Sequence, residues 1–262
     1  MSAAVSTPSS STPSAPGWLH RALRHRSFVI GAVLSALLIL AALLSFVWTP
    51  WSPYEMDLAN KLASPSGTHW LGTDAFGRDV ASLLLVGARN SILVGVIAVG
   101  IGLTIGTALG LLAAAKRGWV EELIMRLADF TFAFPAILSA IMMTAVFGAG
   151  IVNSIIAIGI FNIPTFARVT RASANAVWSR EYILASRACG KGSWRITLEH
   201  VLPNILSVLI VQATIQFAIA ILAEAALSYL GLGTQPPQPS WGRMLSEAQT
   251  LMFQAPLLAV WP

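Results

Sequence analysis

Charge and cysteine are both scarce in this sequence. Only 10% of its 262 residues are Asp, Glu, Lys or Arg, whereas 56% are hydrophobic. An ordinary soluble domain carries about 25% charged residues, so this composition excludes one and indicates a membrane protein. The single cysteine, Cys189, excludes an internal disulfide and is compatible with a reducing cytoplasm. We expect it to be a small packing residue.

Motifs of catalysis and metal binding are also missing from the sequence. Residues 190–193 read GKGS, without the upstream glycine and the spacing of a Walker A phosphate cradle. There is no nucleophile elbow, zinc motif or dinucleotide fingerprint, and His69 has no partner at metal-ligand spacing. We therefore expect no catalytic residue, no metal and no cofactor bound by this chain. Uphill transport would need energy from a partner or from an ion gradient.

Long apolar runs instead predict an all-α, polytopic transmembrane helix bundle. The run 28–48 is uncharged and long enough to cross a hydrocarbon core of about 30 Å, so it is the predicted first span. Residues 1–27 are an expected disordered cytoplasmic tail, because 1–17 are rich in Ser, Pro and Ala and carry no charged side chain. Residues 49–89 are interrupted by Pro and Gly and form the expected external segment.

The remainder, 90–262, is the predicted core of the bundle. Its first part, 90–115, is uncharged, and Gly102, Gly106 and Gly110 recur at every fourth position. In lipid, such a stripe of small residues marks a face on which two helices approach closely. We predict that this face packs against another helix of the chain or against a partner subunit.

Further spans are expected beyond a short charged connection at 116–129. The uncharged run 130–167 is too long for one span and long enough for two. The turn between these two spans is marked by Gly148, Gly150 and Asn153. A fifth span is predicted at 201–230. Residues 250–262 amount to half a membrane thickness at most, so we expect a truncated sixth span there. The alternative is a protein with five spans.

Residues 179–204 differ from the apolar runs because they predict two short helices separated by a bend. Ser179 can cap the first helix, Gly190 can end it in a left-handed conformation, and Ser193 can cap a second turn. Pro203 then stands in the first turn of a new apolar helix, where its missing N–H costs nothing. The segment is predicted to be a rigid lever on the membrane surface.

The spacing within 179–200, hereafter the coupling loop, resembles the EAA loop of ABC-importer permeases. That pattern is Glu-Ala-Ala, Gly and Ile-x-Leu-Pro at fixed intervals; here Leu184, Ser186 and His200 replace Glu, the second Ala and Ile. Two other stretches, HWLGTDAFGRDV from 69 and GLGTQPPQPSWGRML from 231, resemble the same family. Together they resemble the second, C-type permease subunit of dipeptide, oligopeptide and nickel importers.

The resemblance implies an importer permease fold, a homologous second permease, two cytoplasmic ATPases that bind ATP and Mg, and an external solute-binding protein. Alternating access would be driven through the coupling loop. The residues implied in ATPase coupling are Tyr182, Leu184, Ala185, Ser186, Ala188, Gly190, Trp194 and Pro203. The alternative for this loop is a basic amphipathic helix lying on anionic lipid, with its cations facing phosphates: Arg180, Arg187, Lys191 and Arg195.

Four residues are candidates for an external gate or the pathway. Asp74, Arg78 and Asp79 can form a charge cluster over the mouth of the pathway, although a surface ion pair of little energetic value is an equal alternative. Glu224 is a carboxylate within an apolar run, which makes it a functional candidate. Its alternative is a role in helix packing near the external surface.

The distribution of basic residues predicts the orientation. With the N-terminus inside, the predicted cytoplasmic segments hold 12 of the 16 Lys and Arg residues, and the external segments hold four. This obeys the positive-inside rule, so the net charge of +5 is a topology signal and no nucleic-acid partner is expected. The main hypothesis is thus an ATP-driven importer permease. The alternatives are an ion-coupled secondary transporter or channel, and a structural membrane anchor.

Overall fold

The computed structural model describes residues 24–262, and within that range it is helical with no β-strand. The predicted tail lies almost wholly outside the described residues. The helices, in chain order, are α1 Arg26–Val47, α2 Val80–Lys116, α3 Gly118–Phe132, α4 Ala136–Phe147, α5 Ile151–Trp178, α6 Glu181–Ala188, α7 Ser193–Tyr229 and α8 Trp241–Gln249. Residues 41–262 form one compact unit, to which the following description applies.

Four helices are long and apolar enough to cross a membrane: α1, α2, α5 and α7. A fifth span results if α3 and α4, which meet at an angle of 82°, count as one broken span. Pro135 is the residue before α4 and has no N–H to continue α3, which accounts for the break. Most of the charged connection predicted at 116–129 is therefore helical, because residues 118–129 belong to α3, the first half of this unit. The predicted turn near Gly148 and Gly150 does separate α4 from α5.

The second span begins earlier than predicted. Helix α2 starts at Val80, so the last part of the expected external segment 49–89 is helical. Asp79 is the N-cap, and its carboxylate accepts hydrogen bonds from the Ser82 amide and hydroxyl, both at 2.8 Å. The distribution of charged residues predicted that the external segment ends at Arg89. The helix starts earlier, because the Asp79 side chain caps the unpaired backbone amides of its first turn.

Close packing of α2 on α5 forms the centre of the bundle. A Cβ atom added at Gly102 would lie 2.3 Å from Asn162 Cβ, and one at Gly106 would lie 2.5 Å from the Ile163 carbonyl oxygen. At Gly110 the nearest atom would be the Ala167 carbonyl oxygen, at 2.6 Å. The glycine stripe therefore faces another helix of this chain and permits backbone contact.

Helix α7 does not restart at Pro203. It begins at Ser193, passes through a π-helical turn at Thr197–Val201 and continues as an α-helix over Leu202–Tyr229. The Leu202 amide donates to the Thr197 carbonyl, a longer connection than in an α-helix. This wider turn accommodates the missing N–H of Pro203 without ending the helix.

The chain after α8 does not continue as a half-span. Residues 250–255 form turns, and Pro256–Ala259 is a short 3₁₀ helix. Pro256 stands at the start of that helix, where it cannot donate a hydrogen bond back to α8.

Candidate functional site

The coupling loop is built around the end of α6. The Gly190 amide donates to the Arg187 carbonyl at 2.9 Å, and the Lys191 amide donates to the Ser186 carbonyl at 3.2 Å. This is the Schellman pattern, which needs a left-handed residue, and Gly190 has φ +82°. The predicted bend therefore lies at Gly190.

The two predicted serine caps are wrong. Ser179 Oγ donates to the Ala176 carbonyl, so it closes the end of α5, and α6 follows Arg180 without a side-chain cap. Ser193 is the first residue of α7, and the cap position before it is Gly192. Each serine lies about one residue from the position that a cap requires.

Buried and exposed side chains divide the coupling loop into two faces. Ile183 and Ile196 are fully buried and anchor α6 and the start of α7 in the bundle. In contrast, Leu184 and Trp194 are 55% and 60% exposed, and Tyr182 is 45% exposed. The loop thus combines a fixed inner face with an apolar outer face.

The other sequence-predicted coupling residues lie around this outer face. Ala185 and Ala188 are exposed on α6, whereas Ser186 is half-buried and its hydroxyl donates to the Tyr182 carbonyl. Pro203 lies beyond the π turn, in the body of α7, and not on the loop itself. Cys189, expected to be a packing residue, is exposed.

The cations of the coupling loop bind protein groups. The Arg187 guanidinium lies 4.7 Å from the centre of the Trp178 ring. Glu199 accepts hydrogen bonds from Lys191 Nζ at 2.8 Å and from Arg195 Nε at 2.5 Å. Three of the four cations of the lipid-surface alternative are therefore engaged within the chain.

The predicted cluster of Asp74, Arg78 and Asp79 forms only in part. Arg78 Nε donates to Asp74 Oδ2 at 2.6 Å, and both residues are 8% exposed. Arg78 also reaches Glu247 on α8 at 3.2 Å. Asp79 takes no part in this pair; it caps α2 and contacts His69 Nδ1 at 3.0 Å. The pair joins the segment before α2 to α8, so it is more than a surface ion pair.

Glu224 lies inside the bundle and is 1% exposed. Its carboxyl oxygens accept hydrogen bonds from Ser91 Oγ at 3.0 Å, Ser228 Oγ at 2.7 Å and Thr234 Oγ1 at 3.3 Å. These partners belong to α2, to α7 and to the segment after α7. The contacts favour the packing role over a gate, because the buried carboxylate links three parts of the chain through these hydroxyls.

Two buried amides were not predicted as site residues. Gln216 Nε2 donates to Asn162 Oδ1 at 3.0 Å, which links α7 to α5 in the middle of the bundle. Gln216 is polar within the apolar run 201–230 and was therefore detectable. Asn162 was hidden because it belongs to a run defined only by the lack of charge.

Within residues 24–262, no group of three or more His, Cys, Asp or Glu side chains is placed to hold a metal ion.

Known transport permeases match nearly the whole chain. The family model described as "Binding-protein-dependent transport system inner membrane component" matches residues 106–262, and "N-terminal TM domain of oligopeptide transport permease C" matches residues 18–65. A glutathione transport system permease protein of Pectobacterium atrosepticum is 40% identical over 96% of this chain and 83% of its own length. A dipeptide transport system permease protein of Alkalihalophilus pseudofirmus is 41% identical over 91% of this chain and 79% of its own length.

A solved structure supports the fold. Inward-facing MetNI methionine ABC transporter matches with a TM-score of 0.54 and 19% identity, over 68% of this chain and 92% of that chain. At this identity the match bears on the fold alone.

Proposed function

Because the chain belongs to the binding-protein-dependent transport system inner membrane components, we propose that it carries di- or oligopeptides or similarly small solutes. As a member of this family, the chain is a multi-pass permease subunit of an ATP-driven importer and is not itself an enzyme. The proposed solute class is supported by the similarity to glutathione and dipeptide permeases and by the oligopeptide permease model. The ion-coupled alternative is set aside, because family membership assigns the energy source to ATP.

Importers of this family work with ATPase and binding-protein partners. The finer arrangement proposed here is a heterodimer with a homologous permease, two cytoplasmic ATPases holding ATP and Mg, and a cytoplasmic N-terminus. The predicted excess of Lys and Arg on the cytoplasmic side supports this orientation. The pathway for the solute would be formed by this chain together with the homologous permease, and this chain would supply four or five of its spans.

The coupling loop is the proposed contact with an ATPase. Its outer face presents Tyr182, Leu184 and Trp194, three large apolar side chains that are about half exposed. Exposed aromatic residues of this kind are enriched at protein interfaces. Because Ile183 and Ile196 anchor the loop in the bundle, a displacement of the outer face is transmitted to α5 and α7. This combination of an exposed and an anchored face is the observation that carries the proposal.

The test is to tag the chain in its native host, solubilise it in mild detergent and identify co-purifying proteins by mass spectrometry. We expect a second permease and ATPases with Walker motifs. Trp194→Ala should reduce ATPase recovery, whereas Trp119→Ala, which removes a 75% exposed tryptophan outside the loop, should not. Purification of the intact chain alone would contradict the proposed assembly. Equal loss in both variants would contradict the assignment of the contact to the coupling loop.

A further inference from the structure

A cleft of about 470 Å³ opens between α4, α5 and α7. Its walls are mainly apolar, and Ile137 and Leu222 at the cleft are 52% and 70% exposed. Asn162 lies about 17 Å along the axis from the first residue of α5, at about 1.5 Å per residue. Gln216 lies about 20 Å from the end of α7 on the same measure. Both residues therefore lie deep within helices that are long enough to span a hydrocarbon core of about 30 Å.

Two carboxamides line this cleft, and they are more than nine-tenths buried. Asn162 is 5% exposed and Gln216 is 6% exposed. Gln216 Nε2 donates to Asn162 Oδ1 at 3.0 Å, but Asn162 Nδ2 has no hydrogen-bond partner among the described residues. An unpaired buried donor is unfavourable, so such a group calls for a role beyond holding two helices together.

Close packing on the glycine stripe fixes the position of Asn162. A Cβ atom added at Gly102 would lie 2.3 Å from Asn162 Cβ, so α2 leaves no space into which Asn162 could move. Asn162 is one of the residues that line the cleft. Gln216 is fixed in turn by its hydrogen bond to Asn162.

We propose that Asn162 and Gln216 form a hydrogen-bonding station for the transported solute at the middle of the membrane. The inference rests on the proposed function, because it assigns a path to the solute of that importer. Each carboxamide offers both an N–H donor and a carbonyl acceptor, so the station recognises the N–H groups and the carbonyl or carboxylate oxygens of a peptide. Neutral amides suit a path because they bind such groups more weakly than charged side chains and release them again.

The first test measures water access and does not depend on the identity of the solute. Cys189 is replaced by Ser, and Asn162→Cys, Gln216→Cys and Ala220→Cys are introduced singly into the complete importer. Ala220 is fully buried on α7, about one helical turn from Gln216, and is the matched control. A membrane-impermeant thiosulfonate is applied with and without vanadate-trapped ATP.

We expect the thiols at 162 and 216 to react in at least one nucleotide state, and the thiol at 220 to stay unreactive in both. If 162 and 216 are as inert as 220 in both states, the amide pair only packs the helices and the proposal is wrong. Reaction of all three would equally overturn it, since access would then not be specific to the cleft.

The second test is uptake of radiolabelled dialanine into vesicles containing the importer. Asn162→Leu and Gln216→Leu should each raise KM about tenfold, the effect of losing one hydrogen bond to the solute. Gln216→Asn, which keeps an amide, should recover part of this loss. A purely structural pair would instead lower the amount of assembled complex and leave KM unchanged, which would contradict the proposal. If the unmodified importer does not carry dialanine, the proposed solute class is wrong. The thiol test then still decides whether Asn162 and Gln216 are accessible from a water-filled path.

Discussion

Replacement of Gly190 by alanine tests whether the bend of the coupling loop is needed to couple ATP hydrolysis to solute transport. Gly190 has φ +82°, whereas Gly192, two residues later, has φ −68°. A Cβ atom added at either position meets no heavy atom within 4 Å. The two Gly→Ala variants therefore add the same methyl group to the same loop, and only the one at Gly190 forces alanine into the left-handed region.

The expected magnitude follows from this difference. An L-residue held in the left-handed region costs about 1–2 kcal/mol. This corresponds to a shift of about 5- to 30-fold in the population of the native bend. Gly192→Ala has no such cost, because its backbone conformation is ordinary for alanine. Gly190→Asp adds a carboxylate to the outer face as well as strain, so we expect it to uncouple transport most strongly.

The assay is a reconstituted importer in vesicles, in which solute uptake and ATP hydrolysis are measured together. We expect Gly190→Ala to lower the solute carried per ATP hydrolysed and Gly192→Ala to leave this ratio unchanged. Membrane levels of both variants are compared first, so that a folding defect is recognised. Equal coupling in the two variants, or unchanged uptake by Gly190→Asp at normal expression, would refute the reasoning.

Three further predictions concern the packing of the bundle, and each is checked by thermal unfolding of the purified protein in detergent. Gly106→Ala should destabilise it by about 1–3 kcal/mol through overpacking against α5, whereas Gly100→Ala, with no atom within 4 Å, should be tolerated. Arg78→Met should lower the free energy of unfolding by about 3–5 kcal/mol, because Asp74 is left buried without its cation. A decrease of less than about 1 kcal/mol, the range of a surface ion pair, would contradict this. Glu224→Ala should lower the unfolding temperature more than Glu224→Gln, which keeps one acceptor; equal shifts would argue against the hydroxyl contacts.

Much of the fold was predictable because spans are long, local and strongly apolar. The length of 28–48 indicated a span, and α1 covers Arg26–Val47. The four-residue repeat of Gly102, Gly106 and Gly110 predicted a close helix contact, which α5 provides. The bend was also local: Gly190 adopts the left-handed conformation that the sequence suggested.

Boundaries between polar and apolar segments were less predictable. The start of α2 depends on a capping contact between Asp79 and Ser82, not on where charge disappears. The break between α3 and α4 places the charged residues within 118–129 in the same bent unit as an apolar helix. A count of charges along the chain is insensitive to both features.

By itself, the sequence determined the helical class, the membrane setting, the bend at Gly190 and the family, because each depends on residues near one another in the chain. Only the tertiary structure decided which side chains share a site. It joined Asn162 to Gln216, Glu224 to Ser91 and Arg78 to Glu247, pairs separated by many residues. Such contacts depend on how helices are arranged around one another, and a buried polar group is recognised only when its partners, or their absence, are known.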